Sequence, residues 1–471
     1  MLTSSVNVAD PFARRCGPLA CLWLTVLGLM VTPAWAAERL PRGILLPKVV
    51  VAADTEQSYA LYVPSGYDAK RPNTVLICFD PSGLGSVPVE LFRETAEIYD
   101  VLVAGSNVVR SGEIEPALRA ADTLWKDLDS RFNVDPRRVY LCGFSGGAAV
   151  ATEIALAQPD LIAGVIACGG VFSSRPRKDV EFKMPLALIA GSADFNRLLL
   201  EDVTADLSRR KTTVRLWIPS GSHEWPKSPS LRDAWEWLEQ RALRDGRRPA
   251  DPALARRLMR RALARAGEAE QQGRVIEAYT GFAALANESP KSEEGMMAQA
   301  AAKRLGETAE YKAARQRNKR DRERETEFVE RVRSTIDQLA LHPTDSIERR
   351  QSIAALGIES WRKEGTEVAR RSLERVFYES YERGISGLLQ TRVAQGLAGL
   401  GVAVAVRPDG PLALYNYACA LARHGEKKEA LKYLKRAVET GRFAAEDIQR
   451  DEDFISLRDE LEYKQLVRPQ L

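Results

Sequence analysis

The sequence predicts a doubly wound α/β fold with a mostly parallel sheet, followed by an all-α region. Short apolar runs rich in β-branched residues alternate with helical patterns over residues 45–245, as in an α/β domain. Strand patterns end at residues 245–249, Asp-Gly-Arg-Arg-Pro, and Ala, Arg, Glu and Leu dominate the remainder. Because 471 residues exceed what one ordinary core supports, we expect two or more domains.

The predicted strands are mostly continuous apolar runs, which is typical of strands covered on both faces of a parallel sheet. They are expected at residues 59–63, 75–79, 101–104, 139–142, 164–168, 186–190 and 214–218. Helical patterns separate or follow them at residues 90–99, 114–131, 146–157, 198–210 and 231–243. The alternation predicts one α/β domain at residues 45–245.

Residues 250–471 are predicted to form a helical domain. The stretch 303–333 interleaves acidic and basic residues, which is typical of a solvated helix face and, less commonly, of a partner site. Three sets of small or apolar residues have the spacing of helical hairpins here, and the first two sets given below lie 34 residues apart. The three sets are Ala418, Leu421, Ala430, Leu434 and Ala437; Gly384, Gly387, Gly396, Leu400, Ala403 and Pro408; and Ala266, Ala269, Ala278, Phe282, Leu285 and Pro290.

These sets resemble tetratricopeptide repeats, although the aromatic residue that usually starts the repeat is missing. The resemblance implies a superhelix with a concave face for a protein partner. The alternative is a plain helical bundle in which the spacing is a coincidence.

Composition excludes several classes of function. The 68 Lys and Arg nearly balance the 64 Asp and Glu, leaving a net charge of +4 without a basic stripe, so nucleic acid is not expected as a partner. Of the six cysteines, Cys78, Cys142, Cys168 and Cys419 follow the N-terminal leader, and no C-x-x-C pattern occurs. We therefore predict neither a metal site nor a cofactor, and at most one disulfide between neighbouring strands.

Residues 1–36 have the pattern of a signal peptide. Arg14 and Arg15 precede an apolar run at residues 19–32, and Ala34-Trp35-Ala36 supplies small residues at a cleavage spacing. The alternative is an uncleaved membrane anchor, since the apolar stretch is nearly long enough to span a bilayer. Either alternative predicts export, to the periplasm or the outside of the cell.

Ser145 lies in Gly143-Phe144-Ser145-Gly146-Gly147, which fits G-x-S-x-G between a predicted strand and a predicted helix. In this arrangement a serine stands on a sharp, strained turn, and small neighbours allow the close approach of strand and helix. The serine is thereby presented at the sheet edge as a candidate nucleophile. The alternative is a Gly-Ser turn without chemistry.

A serine hydroxyl needs a base within hydrogen-bond reach, and histidine is the usual one. His223 follows the last predicted strand, at the sheet edge where Ser145 is expected. The other two histidines, His342 and His424, fall in the helical region and are expected at the surface. We therefore predict His223 as the base, the alternative being an ordinary loop histidine.

A carboxylate must hold the imidazole in its tautomer and stabilise its charged form. Asp194 follows the preceding strand and completes the chain order serine, acid, histidine. Its alternative role is to cap the helix that starts near residue 196. Asp202 and Asp206 are weaker candidates for the acid because a helical pattern includes them.

Backbone N–H groups are expected to stabilise the oxyanion of a tetrahedral intermediate. The N–H of Gly146, directly after the serine, is the first predicted donor. A second is expected from the loop after residues 74–79, where Pro81 has no N–H and Ser82 or Gly83 remains. A glycine turn with no catalytic duty is the alternative for this loop.

Together these stretches resemble a secreted α/β-hydrolase of the esterase and polyhydroxybutyrate depolymerase-like branch, over residues 49–243. The resemblance implies Ser145 as nucleophile, Asp194 as acid, His223 as base and an acyl-enzyme intermediate. Many members carry a His-Gly pair in the oxyanion loop, whereas this chain has Asp80-Pro81 near that position. That departure leaves the second oxyanion donor open.

The sequence therefore favours a serine hydrolase that acts on a small-molecule or polymer-borne carboxylic ester, without metal or cofactor. A serine peptidase of the same fold is one alternative, and a non-catalytic interaction protein that uses the helical repeats is another. Loops at residues 104–112 and 172–181 are expected to line the entrance. Their arginines, Arg110, Arg175 and Arg177, would bind an acidic or sugar-borne ester or are simply solvated.

Overall fold

A mostly parallel eight-stranded sheet organises the first half of the described chain. The computed structural model describes residues 40–112, 114–172, 181–342 and 345–468. The strands are β1 (Leu45–Val51), β2 (Asp54–Tyr62), β3 (Asn73–Phe79), β4 (Val101–Ser106), β5 (Val134–Phe144), β6 (Ile162–Cys168), β7 (Leu186–Ile189) and β8 (Val214–Trp217). Their order across the sheet is β1-β2-β4-β3-β5-β6-β7-β8.

Strand pairing is antiparallel at one edge of the sheet and parallel elsewhere. β1 pairs with β2 and β2 with β4 in antiparallel fashion, and every other neighbouring pair is parallel. Central strands such as β3 and β6 are buried along their whole length, which both faces of a covered sheet require. The seven predicted strands all lie in this sheet. β1 was missed because Pro47 and Lys48 interrupt its apolar pattern, as is common at sheet edges.

Helices cover the sheet where the sequence predicts them. They are α1 (Ser86–Tyr99), α2 (Ile114–Arg131), α3 (Gly146–Ala157), α4 (Arg197–Arg209) and α5 (Ser228–Arg244). Helices α1 and α5 contact each other and share a core with alternate residues of the strands, and α2 contacts α3. The predicted α/β fold followed by an all-helical region is confirmed.

The remainder of the described chain is helical. The helices are α6 (Pro252–Gln271), α7 (Val275–Glu288), α8 (Glu293–Glu307), α9 (Ala309–Leu341), α10 (Ser346–Ala354), α11 (Ile358–Glu364), α12 (Glu367–Leu389), α13 (Val393–Val406), α14 (Pro411–His424), α15 (Lys427–Glu439), α16 (Ala445–Arg450) and α17 (Leu461–Leu466). A short 3-10 helix at Glu452–Leu457 separates the last two. None of the helices in the described ranges has the length and apolar character that crossing a membrane requires.

Each of the three predicted hairpins falls on a pair of contacting helices, namely α6 with α7, α12 with α13, and α14 with α15. At the second hairpin, a Cβ added to Gly387 would lie 2.7 Å from the backbone nitrogen of Gly396, so only glycine permits this helix spacing. At the third, Gly425 takes φ +87° in the turn. The resemblance of these hairpins to tetratricopeptide repeats stays a prediction.

The described residues from Pro41 onward form one compact unit, in which α6 packs against α5. The carboxylate of Glu236 on α5, fully buried, accepts hydrogen bonds from Tyr99 at 2.8 Å and Arg265 at 2.7 Å. Glu239, also fully buried, pairs with Arg138 at 2.7 Å and with Arg248. The predicted domain limits at residues 245 and 250 stay a prediction.

Some predicted features lie wholly or partly outside the described residues. These are the leader at residues 1–36 and the entrance loop with Arg175 and Arg177. The four cysteines from Cys78 onward are described, and all are buried and free, so the structure contains no bridge between them.

Candidate active site

Ser145 stands at the turn between strand β5 and helix α3, as predicted. Its backbone takes φ 51° and ψ −118°, a combination that non-glycine residues rarely adopt and that is found where local strain serves a site. The turn is tight because a Cβ added to Gly147 would lie 2.0 Å from the carbonyl oxygen of Phe79 on β3. The glycine therefore allows strand, serine and helix to approach one another closely.

His223 and Asp194 meet Ser145 at the carboxyl edge of the sheet. Nε2 of His223 lies 3.0 Å from Oγ of Ser145, and Nδ1 of His223 lies 3.0 Å from Oδ1 of Asp194. Asp194 comes from the loop after β7 and is almost fully buried, whereas His223 follows β8 and is 14% exposed. The three predicted residues thus form a continuous hydrogen-bonded chain from carboxylate to imidazole to hydroxyl.

The loop that carries Asp194 is fixed by its own hydrogen bonds. Oδ1 of Asp194 also accepts the backbone N–H of Asn196 at 2.8 Å, and the Asn196 amide donates to the carbonyl of Gly169 at 2.8 Å. Asp202 and Asp206 lie on α4 and pair with arginines, Asp202 with Arg322 and Asp206 with Arg209 and Arg210. Of the carboxylates considered for the acid, only Asp194 is hydrogen-bonded to His223.

The other two histidines lie far along the chain in helical segments. His342 directly follows α9, and His424 ends α14, where its ring nitrogen lies 3.0 Å from a Glu426 oxygen. Neither contributes to the group around Ser145.

The predicted oxyanion donors differ in how their N–H groups are used. Gly146 is the first residue of α3, and the first N–H groups of a helix have no carbonyl partner within it. The N–H of Ser82 donates to Oδ1 of Asp80 at 2.8 Å, and that of Gly83 donates to the Asp80 carbonyl at 3.1 Å. Either N–H group would have to give up its hydrogen bond to Asp80 before it donates to an oxyanion.

Aromatic rings enclose the imidazole of His223. The ring centres of Phe195 and Phe144 lie 4.2 Å and 4.8 Å from that of His223. Tyr378 of α12 stacks on the outer face of Phe195, with centres 4.6 Å apart and an interplanar angle of 27°. The stack restricts the orientation of His223 and connects it to the helical region.

A cavity of about 430 Å³ opens on Ser145 and His223. Its α/β side also includes Pro81, Phe144, Phe195 and Asn196, and its opposite side is formed by Arg375, Tyr378, Glu379 and Glu382 of α12. Sequence reasoning missed these four residues because nothing in the pattern of a charged helix shows which other element it faces. A larger cavity of about 850 Å³, lined by parts of α4, α9 and α12, does not include Ser145 or His223.

Part of the chain matches a known enzyme family. Residues 113–195 match the model of the phospholipase/carboxylesterase family, a stretch that includes Ser145 and Asp194 and ends before His223. The comparison with curated proteins found no match. The fold is an α/β-hydrolase fold, and the family match supports a serine hydrolase of the esterase type.

Solved structures with a similar fold cover less than half of this chain. The fluorophosphonate-binding serine hydrolase F of Staphylococcus aureus is 14% identical, with 41% of this chain and 97% of that chain covered and a TM-score of 0.36. Esterase B of Lactobacillus rhamnosis is 15% identical, with 45% of this chain and 93% of that chain covered and a TM-score of 0.36.

The two glutamates of α12 that line the cavity differ in their partners. Glu379 accepts hydrogen bonds from Arg375 at 2.9 Å and from two nitrogens of Arg333 at 2.7 Å each. These arginines hold the pKa of Glu379 below its usual value although burial opposes this. Within the described ranges, Glu382 is exposed and has no hydrogen-bond or ion-pair partner, and partial desolvation together with the charge of Glu379 raises its pKa.

Proposed function

We propose that this protein is a serine hydrolase that cleaves carboxylic esters through an acyl-enzyme intermediate. The observation that supports this most strongly is the chain of two 3.0 Å contacts from Asp194 through His223 to Ser145. It has the residue types, order and spacing that nucleophilic catalysis by serine needs. The match to the phospholipase/carboxylesterase family favours an ester over an amide.

In the proposed mechanism each of these residues has a separate role. Oγ of Ser145 attacks the ester carbonyl carbon while Nε2 of His223 takes the hydroxyl proton. The negative charge on the carbonyl oxygen is stabilised by the N–H of Gly146, and the positive charge on the imidazole by Asp194. When the C–O bond of the ester breaks, the leaving alkoxide takes the proton from Nε2. The acyl group remains on Oγ.

Water then completes the reaction. His223 takes a proton from a water molecule, whose oxygen attacks the acyl carbon, and the bond from that carbon to Oγ breaks as the proton returns to Ser145. The products are the carboxylic acid and the free enzyme. The wall formed by α12 covers the site on the side opposite the sheet and limits the substrates that reach Ser145.

The test uses the full chain with a fluorophosphonate probe and 4-nitrophenyl butanoate. We expect covalent labelling and a burst of nitrophenolate of about one equivalent per protein, because the acyl group accumulates on Ser145. Ser145→Ala should abolish labelling, and His223→Ala should lower kcat about a thousand-fold or more. His424→Ala, at a histidine outside the site, is the matched control and should leave both unchanged.

Two results would contradict the proposal. A folded wild-type protein that is neither labelled nor active on esters would exclude serine hydrolysis. Faster turnover of a matched 4-nitroanilide than of the 4-nitrophenyl ester would replace the esterase with a peptidase.

A further inference from the structure

The wall of the catalytic cavity formed by α12 is one helix face. Arg375, Tyr378, Glu379 and Glu382 are spaced three, four and seven residues from the first, and such residues lie on the same side of a helix. Tyr378 is held against Phe195, which in turn contacts His223. The face is therefore fixed opposite the catalytic serine, where part of a bound substrate must lie.

Three of these four side chains are already engaged by other groups. Glu379 and Arg375 bond to each other at 2.9 Å, Glu379 also binds Arg333, and the ring of Tyr378 stacks on Phe195. Glu382 is the exception, because no described residue pairs with it. Glu382 is exposed and lines the same cavity as Ser145 and His223, and a second carboxylate, that of Glu379, lies one helical turn away.

The missing partner of Glu382 should be a cation. A positively charged group in the cavity would be attracted to this unpaired carboxylate, and the attraction grows as a bound substrate displaces water from around it. A neutral hydroxyl would donate one hydrogen bond but leave the charge of Glu382 without a counter-ion. The volume of about 430 Å³ is in the range of sites for small organic ligands.

We propose that the substrate is a small ester with a positively charged ammonium group, and that Glu382 binds this group while the ester carbonyl lies at Ser145. The inference rests on the proposed esterase function and adds the substrate class to it. Glu382 is thus a specificity-determining residue contributed by the helical half of the chain. Attraction between Glu382 and the ammonium would hold the scissile bond near the nucleophile.

The test compares esters that differ only in charge. One pair is choline butanoate and its carbon isostere, 3,3-dimethylbutyl butanoate, which place the charge or its neutral equivalent on the alcohol. The second pair is the 4-nitrophenyl ester of 4-(trimethylammonio)butanoic acid and the 4-nitrophenyl ester of 5,5-dimethylhexanoic acid. These esters carry the charge or its neutral equivalent on the acyl group. In at least one pair we expect kcat/KM of the wild type to be about ten-fold or more higher for the cation.

Variants of the full chain assign this preference to one side chain. Glu382→Gln should reduce the ratio of kcat/KM, cation over neutral isostere, to about one, and Glu382→Lys should reduce it below one. Glu374→Gln is the matched control, since Glu374 lies on the same helix but pairs with Arg407 outside the cavity. It should keep the ratio of the wild type.

The outcomes separate this inference from the function on which it rests. Hydrolysis of the neutral esters without preference for the cations, or a preference that survives in Glu382→Gln, would overturn the inference and leave the esterase intact. Absence of labelling at Ser145 together with absence of hydrolysis would overturn the esterase and the inference with it.

Discussion

Asp80 stands directly after β3, and its side chain joins two loops of the site. Oδ1 accepts the N–H groups of Ser82 at 2.8 Å and Leu84 at 3.2 Å, and Oδ2 accepts Nε1 of Trp225 at 2.8 Å. Trp225 follows His223 by two residues and packs against Phe144. Asp80 is thus hydrogen-bonded both to the loop after β3 and to the loop that carries His223.

Replacing Asp80 with Asn should weaken this connection. The amide retains one oxygen, and its NH₂ group cannot accept the Trp225 N–H, so a hydrogen bond to a charged acceptor is lost. Such a loss corresponds to about 2 kcal/mol of unfolding free energy. We expect urea denaturation to show this loss and ester hydrolysis to show about a ten-fold lower kcat with KM little changed.

Trp225→Phe is the companion to Asp80→Asn, because it removes the same N–H and leaves the bonds to Ser82 and Leu84 in place. It should reproduce most of the stability loss. Wild-type stability and kcat in both variants would show that Asp80 does not position the site.

The three residues of the candidate triad could be predicted one by one because each carries a local signal. Ser145 lies in a short motif, and Asp194 and His223 each follow a recognisable strand. Glu382 carries no such signal, since a glutamate on a charged helix looks the same whether it faces solvent or a cavity. Its position depends on how α12 packs, which one sequence does not show.

At the scale of elements, helices α9 and α12 are held together by a buried ion pair next to the acid loop. Nε of Arg371 donates to Oε2 of Glu325 at 2.7 Å, and both residues are nearly inaccessible to solvent. Nη1 of Arg371 also donates to the carbonyl of Ser192, two residues before Asp194, at 3.3 Å. The pair therefore connects two helices of the C-terminal half with the loop that carries Asp194.

Replacing only one member of this pair should lower the free energy of unfolding more than replacing both members. Arg371→Met leaves the buried Glu325 carboxylate without its partner and should lower the free energy of unfolding by about 3 to 5 kcal/mol. The double variant Arg371→Met with Glu325→Leu should recover most of that loss, because no charge is left buried. Denaturant unfolding of the two variants and of Glu325→Leu alone measures the coupling.

The exposed pair of Lys427 and Glu460 provides the comparison for Arg371 and Glu325. Lys427→Met should change the unfolding free energy by less than about 1 kcal/mol, as is usual for surface pairs. A double variant as unstable as Arg371→Met would show that the charge of Glu325 is not the cause.

Elements with strong periodicity were predictable, and their spatial partners were not. The parallel strands appear as apolar runs because both of their faces are covered, whereas β1 at the edge is only half buried and carries Pro47 and Lys48. The hairpin α12 with α13 was predictable from Gly384, Gly387 and Gly396, which allow close helix packing. Its position over Ser145 depends on contacts between segments far apart in the chain.

At the scale of the whole molecule, the candidate site is lined by both the α/β region and the helical region. The site residues predicted from the sequence all lie within residues 45–245, whereas the cavity also has α12 as one wall. Helices α5 and α6 connect the two regions through buried apolar side chains and through Glu236, which pairs with Arg261 and Arg265 of α6. The position of the wall therefore depends on an interface that combines an apolar core with charged groups.

This interface should make stability depend on pH through Asp233 of α5, whose carboxylate lies 3.1 Å from Nε of Arg265 on α6. Burial and the charge of Glu236 raise the pKa of Asp233 from 3.8 to about 6, although Arg265 opposes the shift. Between these two values the folded protein keeps a proton that the unfolded chain has released. The free energy of unfolding contributed by Asp233 thus falls as pH rises across this window and stays low above it.

Asp233→Asn removes this titration, so its stability relative to the wild type should improve between pH 4 and pH 7, by at most about 3 kcal/mol. Urea denaturation of both proteins at several pH values measures the difference. Asp409→Asn is the matched control because its side chain is 98% exposed, and its difference from the wild type should stay flat. If the unfolding free energy of Asp233→Asn relative to the wild type stays constant or falls with pH, Arg265 compensates the buried charge completely. The pair of Asp233 and Arg265 is then stable in its charged form.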